Sequence, residues 1–273
     1  MQATDPLEPG PLLAIGDGPL ALTVAPQAGG RIAQIHHQGA PQLVGPEEAS
    51  ATIAWGCYPM VPWAGRIRHG RFDFDGRSHR LRANLEGHAI HGVGFAMPWR
   101  VEAHAAAHVE LSLALPEDAR WPFGGVARQH IEVAGGRLRL ALSVTAGVRA
   151  MPAVVGWHPW FRKPARLAFA PAAMYPRDAE GIAILPTVPP TPGPWDDCFL
   201  NTRPVELHAP GHRVRLTSDC THWVVFDERA HATCIEPQTG PPDAPNLAPH
   251  RLAPGETLAA WFLMEWLGRQ EER

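Results

Sequence analysis

The sequence is poor in cysteine and has no long apolar run, and both features limit where the protein can work. Its 273 residues include four cysteines, Cys57, Cys198, Cys220 and Cys234, and none of them forms a C-x-x-C pair. We therefore expect reduced thiols in a cytoplasmic protein, with a disulfide as the alternative. The N-terminal residues lack the basic and apolar regions of a signal peptide, and no stretch approaches membrane-spanning length, so neither feature is predicted.

Charged residues are also scarce. They make up 19% of the chain, and the formal net charge is −3, with no basic stripe that would indicate a nucleic-acid partner. Apolar residues make up 45%, enough for a sizeable core, and 30 prolines and 26 glycines are spread along the chain. Such a composition is typical of many short strands joined by turns and not of a disordered chain.

Apolar and polar residues alternate with a period of two through much of the chain, which predicts β-strands. Glycine-containing turns predict hairpins at Gly29-Gly30, Asp75-Gly76 and Gly135-Gly136. Further strands are predicted at residues 108–115, 212–216, 223–226, 233–236 and 258–266. No long amphipathic helix is evident, and residues 117–121 are predicted to hold at most one short helical turn.

These patterns predict an all-β fold, a large antiparallel β-sandwich, with a single domain over residues 1–273. The proline-rich segment 186–194 resembles a linker between domains. Strands of the same kind lie on both sides of it, so we interpret it as a loop within one domain.

The most informative segment is residues 234–246, where Glu236 ends a short apolar run and a rigid Pro/Gly loop follows. Pro237 favours an extended conformation for Glu236, and the prolines of the loop leave few backbone conformations open. Residues 156–161 hold His158 in a similar way, immediately before Pro159. A fixed carboxylate and a fixed imidazole are the minimum needed to move protons on and off a neutral substrate.

Three further segments stand out, at residues 58–67, 88–92 and 195–199. Together with the first two, and in this order, they resemble the aldose 1-epimerase (galactose mutarotase) family over roughly residues 20–266. The most specific match is E-P-x-T-G-P-P-D-A-x-N, followed by L-x-P-G-E at residues 252–256. The resemblance implies a galactose mutarotase-like β-sandwich with an open sugar-binding cleft.

The resemblance also implies individual roles. Glu236 is expected to be the general base on the anomeric hydroxyl and His158 the general acid on the ring oxygen. His91 is expected to assist at the ring oxygen, and Arg66 and Asp196 to hydrogen-bond sugar hydroxyls. Family members often carry Tyr at the position of Trp160 and sometimes Asn at that of Trp157, so these differences bear on sugar preference.

The chemistry of anomer interconversion agrees with this small set of groups. The C1 hydroxyl loses a proton, the ring oxygen gains one, the ring opens, the C1–C2 bond rotates and the ring recloses. No redox change or group transfer occurs, so no cofactor and no metal are predicted. The forward reaction needs Glu236 ionised and His158 protonated, and we expect a nearby carboxylate to stabilise that imidazolium.

Each site residue also has an alternative interpretation in which its role is only structural. Taken alone, Glu236 is typical of a solvated strand end, His158 of a core histidine and Arg66 of a partner for a surface acid. For His91, a direct contact with the substrate and a purely structural role are equally consistent with the sequence. The choice of Asp196 over Asp197 rests only on the family pattern, and both aspartates could instead cap a turn.

Three other functions remain open. A charged hexose such as a hexose 6-phosphate would need a cationic cluster, for which Arg66, Arg68, His69 and Arg71 are candidates, with Arg66 and Arg68 on one face if strand alternation continues. A glycosidase would need a second carboxylate beside Glu236, for which Asp196 and Asp243 are candidates, but His158 would then lack a role. A non-catalytic sugar-binding protein on the same scaffold would have no use for an acid–base pair.

A metal site is the remaining alternative for a chain with 15 histidines. His88 with His91, and His104 with His108, have suggestive spacing, but such pairs share a face only on helices, and these segments are predicted to be loop and strand. The sequence leaves the sugar and the oligomeric state open.

Overall fold

The computed structural model describes residues 1–268, and almost all of its regular structure is β-strand. In the first half of the chain the strands are β1 (Leu13–Asp17), β2 (Leu20–Ala25), β3 (Arg31–His37), β4 (Ala40–Pro41), β5 (Cys57–Met60), β6 (Arg66–Ile67), β7 (Arg71–Phe74), β8 (Arg77–Arg80), β9 (Ala89–Ile90), β10 (Arg100–His104), β11 (His108–Ala114) and β12 (Val126–Ala134). In the second half they are β13 (Arg137–Thr145), β14 (Met151–Pro152), β15 (Gly156–Arg162), β16 (Arg166–Ala168), β17 (Ala173–Tyr175), β18 (Asp196–Leu200), β19 (Val205–Ala209), β20 (His212–Ser218), β21 (His222–Phe226), β22 (Ala232–Gln238), β23 (Arg251–Leu252) and β24 (Thr257–Gly268). A single 3-10 turn covers Arg68–Gly70, and one short helix, α1, covers Ala244–Leu247.

Two large antiparallel sheets make up the body of the fold. The first sheet has ten strands, in the order β1-β2-β3-β5-β15-β22-β21-β18-β17 with β4 paired to β3. The second sheet has eight strands, in the order β10-β11-β12-β13-β24-β20-β19-β16. Three two-stranded pairs, β6-β9, β7-β8 and β14-β23, lie outside both sheets.

Apolar side chains from the two sheets meet in one continuous core. Trp157 of β15 and Trp223 of β21 both contact Phe262 of β24, with ring centroids 5.9 Å and 6.1 Å apart. Because side chains alternate across a strand, the residues next to these tryptophans point to the opposite face of the first sheet. The all-β antiparallel sandwich predicted from the sequence is therefore confirmed.

The predicted hairpins are present. β2 pairs with β3 across Gly29-Gly30, β7 with β8 across Asp75-Gly76, and β12 with β13 across Gly135-Gly136. Residues 117–121 form a turn closed by pairing between Asp118 and Trp121, without a helix. The proline-rich segment 186–194 connects β17 to β18, and these strands pair with each other in the first sheet.

The strands that carry Glu236 and His158 lie in the middle of the first sheet and are buried on both faces. All seven residues of β22 are buried, and so are the first six of β15. The inner face packs into the core, while loops cover the outer face. This double burial explains why β15 shows no alternation in the sequence.

A fully buried arginine lies behind this part of the sheet. The Arg31 guanidinium donates to the carbonyls of Ala28, Thr52, Trp55 and Phe95, at distances from 2.7 to 2.9 Å. Four carbonyls from separate segments replace the carboxylate that a buried arginine usually requires. Arg31 therefore ties the loops after β2, before β5 and after β9 to one point.

All four cysteines are buried and free. Among residues 1–268, no helix combines the length and the apolar character that crossing a membrane would demand.

Candidate active site

Glu236 and His158 face each other on neighbouring strands. The pairs Gly156 with Gln238 and Trp160 with Cys234 flank them in the β15–β22 register. His158 Nε2 lies 3.2 Å from Glu236 Oε1, and only 6% and 3% of the two side chains is exposed. The structure thus brings together the two residues predicted to perform the proton transfers.

Burial shifts both pKa values toward the neutral forms. The pKa of Glu236 is raised well above its usual value, mainly by desolvation and then by the charge of Asp196, while Arg66 opposes the shift. Desolvation lowers the pKa of His158, and the buried charge of Arg31 lowers it further. Glu236 is the carboxylate beside His158, but the expected stabilisation of the imidazolium is wrong, because burial lowers the pKa of His158.

Aromatic rings surround His158. Tyr58, its partner across β5 and β15, stacks on the imidazole with ring centroids 4.7 Å apart. Trp160, two residues further along β15, stacks at 5.5 Å, and the edge of the His91 ring lies at 5.0 Å. Tyr58 and Trp160 both donate to the Ile53 carbonyl, so hydrogen bonds fix the rings that hold the imidazole.

Arg66 and His91 are brought together by the small β6–β9 pair, in which Arg66 is the partner of Ile90. The Gly65 amide donates to His91 Nδ1 at 3.3 Å, and the His91 amide donates to the Gly65 carbonyl at 3.1 Å. Because Nδ1 accepts, the proton of neutral His91 lies on Nε2, which can donate to a ligand. Burial lowers the pKa of His91 well below its usual value and keeps the ring neutral.

The loop after Glu236 fixes Arg66 from the other side. The Asp243 amide donates to the Arg66 carbonyl at 2.8 Å, and Asp243 Oδ1 accepts from the Arg68 amide at 3.1 Å. Asn246 Nδ2 also donates to Asp243 Oδ1, at 2.8 Å. Asp243 therefore acts as a brace between two motifs and does not line the cleft, which weakens its candidacy as a second glycosidase carboxylate.

Both candidate aspartates of β18 reach the cleft, and one arginine bridges them. Arg177 Nη1 donates to Asp196 Oδ2 at 2.8 Å, and Arg177 Nε donates to Asp197 Oδ1 at 2.9 Å. Burial raises the pKa of Asp196, and Arg177 is the largest influence against that rise. The structure thus places Asp196 and Asp197 together at the cleft, bridged by a residue that the sequence did not single out.

The cleft itself has a volume of about 310 Å³. Its charged and titratable lining consists of Arg66, Glu86, His91, His158, Arg177, Asp196, Asp197, Cys198, Arg229 and Glu236. Arg66 faces Glu86 at 3.5 Å, and the buried Arg66 Nε has no hydrogen-bond partner within residues 1–268. Trp160 and Phe226 supply aromatic surface, so the cleft combines paired charges with apolar faces.

The remaining members of the expected cationic cluster lie elsewhere. Strand β6 ends at Ile67, and the 3-10 turn that follows breaks the alternation that would have put Arg66 and Arg68 on one face. Arg68 pairs instead with Asp178 and Glu180. Together with His69 and Arg71 it lines a hollow next to the cleft.

Among residues 1–268, two groups of side chains have ligand atoms close enough to hold a metal ion. The first is His69, His88 and Glu180, but the His69 amide donates to His88 Nδ1, which places the proton of neutral His88 on the Nε2 that a metal would need. The second is Cys234 with His158 and Glu236. Two of its three members are the residues predicted to form the acid–base pair, so the same atoms could act as metal ligands or as acid and base.

Two contributors to the site were missed in the sequence. Arg177 lies in a stretch without a motif, and no local signal marks it. Arg31 carried a weak signal, because a charged residue directly follows Gly29-Gly30 at the start of β3. Its ring contacts, 4.2 Å to Trp55 and 4.9 Å to Tyr58, connect it to the aromatic stack around His158.

The fold and the cleft define a galactose mutarotase-like β-sandwich. A galactose mutarotase-like protein from Clostridium acetobutylicum superposes with a TM-score of 0.84 at 16% identity, over 94% of this chain and 95% of that one. Galactose 1-epimerase from Lactobacillus acidophilus NCFM superposes with a TM-score of 0.81 at 16% identity, over 98% of each chain.

Sequence comparison identifies the family. The sequence model of the family described as aldose 1-epimerase matches residues 11–172, more than half of the chain. The uncharacterized protein YphB of Escherichia coli K12 is 31% identical over 157 residues, which cover 55% of this chain and 51% of that protein. The chain spans about half the length of the curated relatives that it matches. It belongs to the aldose 1-epimerase family.

Proposed function

We propose that the protein is an aldose 1-epimerase that interconverts the α and β anomers of a free aldohexose. The observation that carries this proposal is the contact between Glu236 and His158 at 3.2 Å beneath an open cleft. A carboxylate and an imidazole of this kind form a complete acid–base pair for ring opening. Each contributes about 10²–10⁴-fold to the rate of such a reaction.

The reaction can be written with the groups of the cleft. Glu236 takes the proton of the C1 hydroxyl while His158 gives a proton to the ring oxygen, and the bond between C1 and that oxygen breaks. Rotation about C1–C2 and reversal of both transfers then give the other anomer. Arg66 favours the ionised form of Glu236, and His91 Nε2–H is available to the ring oxygen.

The charges of the cleft favour a neutral sugar. Arg66 faces Glu86, and Arg177 is shared by Asp196 and Asp197, so carboxylates already balance the charge of both arginines. The charged-hexose alternative has one supporting feature, Arg229, which lines the cleft with its guanidinium 5.6 Å from the centre of the Phe226 ring.

The test is anomer exchange measured by NMR or polarimetry with neutral aldohexoses and their 6-phosphates. We expect faster turnover of a neutral sugar, and no loss of that activity in Arg229→Ala. Turnover restricted to the 6-phosphates and abolished by Arg229→Ala would establish the charged-hexose alternative. Sugar binding without exchange above the spontaneous rate would establish the non-catalytic alternative.

A further inference from the structure

One wall of the cleft is a short loop that closes on itself. Residues 176–184, called here the wall loop, follow β17 directly. Arg177 pairs with Ala183, the Ile184 amide donates to the Pro176 carbonyl at 2.9 Å, and the Asp178 amide donates to the Ile182 carbonyl at 3.0 Å. The wall loop is therefore a small hairpin with its own hydrogen bonds, and Arg177, Gly181 and Ala183 line the cleft.

Arg177 and the aspartates it bridges form a compact set of donors and acceptors. A guanidinium carries five N–H donors, and the contacts with Asp196 and Asp197 engage one nitrogen each. Donor capacity remains on the guanidinium, and each carboxylate keeps a second oxygen. The set can thus donate to one hydroxyl and accept from its neighbour at the same time.

The position of this set relative to the acid–base pair decides which part of a sugar it meets. Strand β18, which carries Asp196, is separated from β22, which carries Glu236, by β21. Two strand spacings correspond to about 10 Å between backbones. A sugar with its anomeric centre at Glu236 would therefore present ring hydroxyls, and not C1, to Arg177.

We propose that Arg177 is a specificity-determining residue that, together with Asp196, recognises two adjacent ring hydroxyls of the substrate. This inference rests on the proposed action on free aldoses. A hydrogen bond to a charged group contributes about 10–100-fold to affinity, and the rigid guanidinium fork distinguishes hydroxyl orientations better than a flexible ammonium does. The orientation of those two hydroxyls would then determine which aldose binds best.

A second arginine holds the wall loop from outside the cleft. Arg68 Nη1 donates to Glu180 Oε2 at 2.6 Å, and Arg68 Nη2 donates to Asp178. Asp178 Oδ1 also accepts from the amides of Glu180 and Ile182, at 2.9 Å and 3.1 Å. Arg68 thereby fixes the turn that presents Arg177 and acts as a positioning residue without touching the substrate.

The experiment compares kcat and KM of wild type, Arg177→Lys and Arg177→Ala with neutral aldoses that differ at one hydroxyl, such as glucose, galactose, mannose and 2-deoxyglucose. For the preferred sugar we expect Arg177→Ala to raise KM by about 10–100-fold, with kcat changed far less. The differences in kcat/KM among the sugars should become smaller in both variants. An unchanged ranking of sugars in Arg177→Ala would overturn the proposal.

Arg71→Ala is the matched control, because Arg71 lines the outer hollow and not the cleft. Its contact with Asn246 is made by the backbone carbonyl, which the substitution keeps. It should leave all parameters unchanged. Arg68→Ala should raise KM with little effect on kcat, and Arg68→Lys should restore part of the affinity. Once Arg177 is absent, Arg68→Ala should have little further effect on KM. Independent, additive effects would refute the positioning role.

Sugar binding is measured separately, by saturation-transfer NMR on the same variants, with thermal melting to verify folding. If wild type binds sugars without exchanging anomers, the proposed function fails while weaker binding by Arg177→Ala still supports the specificity role. If wild type exchanges anomers and Arg177→Ala binds every sugar equally well, the specificity role fails alone. Absence of any sugar binding by wild type would reject both.

Discussion

His158 Nε2 lies 3.2 Å from Glu236 Oε1, with both side chains almost fully buried on the two central strands of the first sheet. At this separation the two groups titrate as one unit, because the charge state of each governs the other. Burial raises the pKa of Glu236 and lowers the pKa of His158, so the pair favours a neutral carboxylic acid beside a neutral imidazole. The forward reaction requires that shared proton on His158.

Glu236→Gln should keep the shape of the cleft floor and remove the base. We expect kcat to fall by about 10²-fold or more, with sugar affinity largely retained. Anomer exchange and saturation-transfer NMR on the same sample measure the two effects. Glu132→Gln, an exposed position on β12, is the control. Near-normal turnover by Glu236→Gln would remove this residue from the mechanism.

The pH dependence of kcat/KM should be bell-shaped for wild type, since activity requires the form of the pair that carries one proton. In His158→Asn only Glu236 remains, so residual activity should rise with pH and lack the alkaline limb. The midpoint of that rise should lie above the ordinary glutamate value of about 4.3, because burial raises the pKa of Glu236. An alkaline limb that survives in His158→Asn would make His91 the leading acid.

Glu236 should also reduce the stability of the folded protein above acidic pH. Its folded pKa is raised, so its contribution to stability is complete below the unfolded value of about 4.3 and is lost as pH rises through the folded value. Glu236→Gln removes this loss. The melting temperature of the variant should therefore exceed that of wild type by a margin that grows with pH, as measured by calorimetry between about pH 5 and 8. A margin that does not vary with pH would contradict the assigned shift.

Gly92→Ala should disturb the position of His91. Gly92 has φ +77°, and a Cβ there would lie 2.0 Å from the Val61 carbonyl oxygen. Gly87, with φ +83° and open space where a methyl group would lie, provides a control with backbone strain alone. We expect Gly92→Ala to lose more than about 1 kcal/mol of unfolding free energy beyond Gly87→Ala, measured by urea denaturation. Equal losses of unfolding free energy in the two variants would show that the backbone around Val61 shifts to accommodate the methyl group.

Much of the fold could be predicted from the sequence because its turns are explicit. Gly29-Gly30, Asp75-Gly76 and Gly135-Gly136 each mark a hairpin, and the strands on either side of Gly135-Gly136 alternate because one face of each is solvated. β15 gave no such signal, because burial on both faces removes the alternation. His158 was singled out through the resemblance and through Pro159, not through periodicity.

The candidate site was predictable where a residue sits in a rigid motif and unpredictable where tertiary contacts create the role. Glu236 is followed by a proline-rich loop, which indicates a fixed carboxylate. Arg177 has no such context, because its importance comes from a loop that folds against β18. Arg68 was expected on the same face as Arg66. The chain instead leaves the strand after Ile67 and enters a 3-10 turn, in which His69 has a left-handed backbone with φ 51°.

The proposed acid–base pair lies on buried central strands, whereas the residues proposed to hold the sugar come from loops, from the β6–β9 pair and from β18, next to the edge strand β17. Local opening begins where few apolar contacts are buried, so these two parts of the site will open at different temperatures and denaturant concentrations. Mild heating or low urea should therefore raise KM well before kcat declines. Under those conditions a high sugar concentration should still give the full rate.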